Sequence, residues 1–104
     1  MILLNIASEN EQTIEKIAEL LLTQKLATDI NLKVNVKRLL LVDNKIQKQP
    51  IYILTAKTKA LLFNRIEELI KSTFKEQTPE LFSLPITTME INQAEEIINN
   101  TQKV

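Results

Sequence analysis

The chain has 104 residues, 44% hydrophobic and 25% charged, which suits one domain over 1–104 burying roughly 60–70% of its unfolded surface. Thirteen basic residues offset thirteen acidic ones, so no net field draws the protein to nucleic acid or to an anionic membrane. The absence of glycine, histidine and cysteine excludes glycine-rich phosphate loops, Ser-His and Cys-His nucleophiles, disulfides, and the soft or borderline ligands of ordinary zinc and copper sites.

The opening, MILLNIASENE, has no basic n-region and turns acidic at once, unlike a signal peptide. No apolar run approaches the roughly 20 residues of a membrane span. The expectation is a soluble, cytoplasmic protein. ILLNIA at 2–7 reads as a short strand apolar on both faces, and so as an inner strand. Ser8 and Glu11 have capping-box spacing, and the acids suit the positive end of a helix dipole. The helix that follows carries Ile14, Ile17, Ala18, Leu21 and Leu22 along one stripe and leaves Glu15, Lys16, Glu19 and Gln24 wet.

From Ala27 to Val42 the period changes to two. Ile30, Leu32, Val34 and Val36 alternate with Asn31, Lys33, Asn35 and Lys37, the pattern of a long half-buried strand. Asp43-Asn44 is the pair best able to take left-handed turn geometry in a chain without glycine, and a second run resumes at Ile46 through IYILTAK, so the two runs form a long hairpin. Pro50 has no N–H for a ladder and belongs at an edge, bulge or break. Leu61, Leu62, Ile66, Leu69 and Ile70 mark a second helix, with Thr58 as its expected N-cap. TPELFSLPI at 78–86 places five residues between two prolines, too few for a helix, and reads as a fenced short strand. Glu90 to Asn100 supplies a last helix on Ile91, Ala94, Ile97 and Ile98.

The order β-α-β-β-α-β-α is that of an α+β, ferredoxin-like fold, a four-stranded antiparallel sheet with helices on one face. That fold hosts unrelated functions. RNA-recognition domains need a basic-glycine-aromatic motif on the third strand, and here Gln49 to Lys57 offers only Tyr52, which reads as a sheet residue with its hydroxyl near water. Acylphosphatase-like enzymes need an arginine after the first strand, where this chain has ASENEQ.

LATDINL at 26–32, DNKI at the hairpin turn, AKT at 56–58 and TPELFSLPI resemble, in order and spacing, the LAACVNI-, EGKI-, IKT- and VPEIIALPI-like segments of the CutA proteins, associated with divalent-cation tolerance. The resemblance covers nearly the whole chain and implies a homotrimer in which long β2–β3 hairpins make contacts between subunits. The hairpin length fits independently, since a monomer of this size has no use for so much strand.

Asp29 stands where the family has a cysteine. FKEQTPE stands for an HPYEVPE-like segment, with Phe74 in place of histidine and Glu76 in place of tyrosine. Leu40 and Val42 replace aromatic residues near the hairpin tip, and Asn44 a glycine. The soft ligands are gone, so the resemblance does not extend to a copper site. Asn31, Lys45, Lys57, Thr58 and Glu80 do match, and Asn31, Lys45, Lys57 and Glu80 are the candidate ligand-binding residues. Each has a bland reading: Lys45 solvated beside a turn, Lys57 and Thr58 ending a strand and capping a helix. Glu80 is different, because a carboxylate beside buried positions needs a partner. Asp29, with Glu80 or Glu76, is a candidate oxygen-only site for a divalent hard cation, and no other cofactor is expected.

No catalytic residue is assigned, since no carboxylate pair stands out by its spacing. The chain is expected to be a non-enzymatic trimeric CutA-like protein, more distantly similar to the PII signalling trimers, that binds cations, small ligands or a protein partner in clefts between subunits. The alternative is an interaction module that has kept the scaffold and lost the site.

Overall fold

A computed structural model describes all 104 residues. The elements are β1 (Ile2–Ser8), α1 (Glu11–Thr23), β2 (Thr28–Val42), β3 (Lys45–Thr58), a 3-10 turn at Ala60–Leu62, α2 (Phe63–Thr73), β4 (Glu80–Pro85) and α3 (Ile91–Asn100). The sheet has the order β2-β3-β1-β4, with all neighbours antiparallel. This is the ferredoxin-like arrangement expected, with β1 an inner strand and the fenced segment forming β4. No helix is long and apolar enough to cross a membrane.

Alternation along β1 and β3 divides the sheet into two faces. Ile2, Leu4 and Ile6 of β1 and Leu54 and Ala56 of β3 join Ile14, Ile17, Ala18 and Leu21 of α1 and Leu62, Ile66 and Ile70 beside and within α2 in one buried cluster. Both helices therefore cover the same face. At about 1.5–3 kcal/mol for each large side chain, this cluster is the main favourable term in the fold. Leu3, Asn5 and Ala7, with their partners Lys57, Thr55 and Ile53, lie on the opposite, helix-free face.

The apolar stripes are narrower than the sequence suggests. Leu22, Leu61, Ile91 and Ile98 are exposed, and α3 buries only Ile97. Two caps also differ. Asn10, not Ser8, is the N-cap of α1: its Oδ1 accepts from Thr13 N at 3.2 Å, while Ser8 Oγ accepts from Asn10 N at 3.1 Å. Asn10 stands next to the first helical residue, so it reaches the free amides of the first turn directly. Thr58 caps no helix. It ends β3 fully buried, and its hydroxyl donates to Leu26 O, fastening β3 to the chain entering β2.

β2 departs most from its reading. The register advances by three residues on β2 for two on β3 between Thr28 and Asn31, and again between Lys33 and Val36. Each step is a bulge holding one residue at positive φ, Asp29 (53°) and Asn35 (59°). Asp and Asn tolerate this region better than other residues with a Cβ, and the chain has no glycine. The bulges break the run that looked like one buried face: only Ile30 packs on the core, and Leu32 and Val34 are exposed. The hairpin turn is as expected, with Asp43 (φ 52°) and Asn44 (φ 62°) both left-handed, the type I′ signature.

Thr58→Val keeps the shape and removes the only donor assigned to Leu26 O. It is expected to lower stability by about 1–3 kcal/mol in urea unfolding, with Thr58→Ser costing less. Equal stability of Thr58→Val and the native protein would mean that the carbonyl finds another donor.

Candidate functional site

The five residues expected to bind ligand or metal do not meet in one chain. Asn31 on β2 lies opposite Thr55, and Lys57 is two residues further along β3, so both stand on the helix-free face of neighbouring strands. Glu80 opens β4 opposite Ala7 on that face, at the other edge of the sheet. Lys45 sits at the hairpin tip opposite Val42. Asp29 lies in the first bulge of β2, between the levels of Thr55 and Lys57 on β3, whereas Glu80 lies at the level of Ala7 and Ile53 on the opposite edge strand. The short Asp29 side chain is therefore set off from Glu80 both across the sheet, by three strand spacings or about 14 Å, and along it. No group of three or more Asp or Glu side chains is placed to hold a metal ion. Asn31 Nδ2 donates to Asp29 O at 3.3 Å, so both residues serve the bulge.

Glu80 has a partner, although it is well exposed and no burial demands one. Arg38, on the arm of the hairpin, forms an ion pair with it across 42 residues of sequence. The pair spans a polar hollow of about 770 Å³ lined in part by Ser8, Asn10, Gln12, Tyr52, Gln77 and Thr78. Three segments frame it: the β1–α1 connection, the base of the arm, and the connection from α2 to β4. Thr13 Oγ1 donates to Gln77 Oε1 at 2.7 Å, holding the last of these against the first turn of α1. Tyr52 packs on the core and borders the hollow, as expected for a half-buried tyrosine.

The hollow offers hydroxyls, amides, the Arg38–Glu80 pair and two further carboxylates, Glu9 and Glu11, a set that hydrogen-bonds a small polar molecule. It has no nucleophile paired with a base. Glu80 is well exposed and already engaged, which makes it a poor first ligand for a bare cation. Arg38 was missed in the sequence because, beside Lys37 in an alternating strand, it reads as a solvated face.

The family model for the CutA1 divalent ion tolerance protein matches residues 2–97. The chain belongs to that family. No protein of curated function matches it in sequence, but several CutA1 structures do in fold. CutA1 from Oryza sativa is 22% identical, with 99% of this chain and 94% of the rice chain covered, at a TM-score of 0.86. CutA1 from Pyrococcus horikoshii is 19% identical over 99% of this chain and 100% of its own, also at 0.86. The periplasmic divalent cation tolerance protein CutA from Archaeoglobus fulgidus is 22% identical over 98% and 100%, at 0.83. This CutA1-family chain has neither cysteine nor histidine.

Because Arg38 holds Glu80, titration of the native protein with calcium, magnesium or manganese is expected to give no heat assignable to Glu80. Stoichiometric heat that disappears in Glu80→Gln would show that a cation displaces the guanidinium.

Proposed function

We propose that this CutA1-family protein is a non-enzymatic homotrimer that binds a small polar ligand in clefts between subunits, each floored by the hollow beside Arg38 and Glu80. The observation that carries this reading is the arm of the hairpin. From Lys37 to Pro50 the two strands project past the end of β1, and pairing puts Leu39, Leu41 and Ile46 on one face of the ribbon and Leu40 and Val42 on the other. Leu39 is 60% exposed, Leu41 69% and Ile46 71%. Covering such a side chain stabilises by about 1.5–3 kcal/mol, and a ribbon apolar on both faces is covered by neighbouring copies.

A trimer brings the arm of one subunit near the sheet of the next, where Phe82 and Leu84 of β4 are half exposed. In this reading Asn31, Lys57 and Glu80 on the helix-free face, and Lys45 at the tip, contribute to clefts formed by two chains. Asp29 meets a carboxylate for a hard cation only across such a boundary. The lack of cysteine suits a reducing cytoplasm.

Light scattering is expected to give a mass of about 36 kDa, three times the 12.0 kDa chain. The double variant Leu39→Glu, Leu41→Glu is expected to shift it to the monomer, because burying unpaired carboxylates costs several kcal/mol each. A native protein that runs as a monomer at micromolar concentration would contradict the proposal.

A further inference from the structure

After α3 the chain does not leave the surface but crosses to the far end of α1. Gln102 N donates to Lys25 O at 2.8 Å, and its side-chain Nε2 donates to Gln24 O at 2.7 Å. Its carbonyl accepts from Lys59 Nζ at 2.8 Å, and its Oε1 accepts from Arg65 Nη1. One glutamine thus joins the end of α1, the exit of β3 and the first turns of α2. Thr101 beside it is 6% exposed, and its hydroxyl donates to Ile97 O at 2.7 Å, closing the last turn of α3.

The last carbonyls of any helix lack intrahelical donors. α1 closes its own end with Lys25 at φ 55°, Lys25 N donating to Leu22 O at 3.1 Å and Leu26 N to Leu21 O at 2.9 Å, the bonds of a left-handed helix cap. Gln102 takes the next two carbonyls, Gln24 O and Lys25 O, just beyond the helix. α3 depends on this contact more than α1 does. Its only buried apolar side chain is Ile97, while Ile91 is 69% and Ile98 50% exposed. Packing alone holds α3 by one residue.

We infer that Thr101 and Gln102 form a strap that fastens α3 to the helical layer, and that α3 and the strap open together as a unit while the sheet and α1 stay folded. The strap is polar, lies at the surface and closes a helix with a single apolar anchor, the makings of a low-energy local opening. The buried cluster of fourteen residues is drawn from β1, α1, the approach to β2, β3, the 3-10 turn and α2, and none of its members comes from α3.

Native-state hydrogen exchange on the full chain tests this. Gln102→Ala removes both side-chain bonds and is expected to speed exchange of the α3 amides about tenfold, leaving β1 and β3 amides unchanged. Arg65→Ala, which removes one of those bonds from the other side, is expected to give a smaller acceleration in the same amides. Ile97→Ala should release α3 with the strap residues intact in sequence, and so marks the exchange pattern of the opened unit. Unchanged α3 exchange in Gln102→Ala, or acceleration spread evenly over the sheet and α3, would overturn the inference.

Discussion

β3 is longer than the strand it must pair with, and the rest of the structure follows from that. Only Tyr52–Thr58 have partners on β1, while Lys45–Ile51 have β2 alone. Half of the longest hairpin is therefore a two-stranded ribbon with an open edge on either side. Such ribbons are marginal in water by themselves, and open edges recruit other strands. Here the ribbon also carries Leu39, Leu40, Leu41, Val42 and Ile46 exposed. Pro50 fits this geometry. It lies opposite Lys37 beyond the last β1 partner, where β3 has lost one neighbour and a missing N–H is easiest to accommodate.

The same overhang creates the hollow. Where β1 ends at Ser8 and turns into α1, the base of the arm continues, leaving a gap that the connection into β4 closes from the third side. Arg38 leaves the arm at this height and reaches Glu80. The ion pair is exposed, so its own contribution to stability is about 1 kcal/mol or less. Its importance is positional: it ties the arm to the edge strand and engages one of the three carboxylates that border the hollow. The polar lining consists of hydroxyls, amides, carboxylates and a guanidinium, with none of the thiolate and imidazole groups that soft metals require.

What was legible in the sequence was the sum of local signals that agree with one another. The type I′ pair Asp43-Asn44 between two alternating runs fixed the hairpin, and the prolines at 79 and 85 fenced β4. The bulges were hidden because alternation in a string of letters cannot show an extra residue: Asp29 and Asn35 fit a regular strand as its polar members. Their left-handed backbone also gives Asp29 a structural reason to be there. Thr58 illustrates the opposite error. A threonine before a helix suggests a cap, but here tertiary contact with Leu26 O decides its role. The Arg38–Glu80 pair joins residues 42 apart and leaves no local trace. Placing both required the register of all four strands.

The central claim is that the arm is covered by other copies of the chain. Hydrogen exchange of the amides from Lys37 to Pro50 in the native protein, followed over a hundredfold dilution, tests it most directly. The account predicts slow exchange, comparable to that of β1, which becomes fast once dilution dissociates the assembly. Fast exchange at every concentration, as for a free two-stranded ribbon, would contradict it.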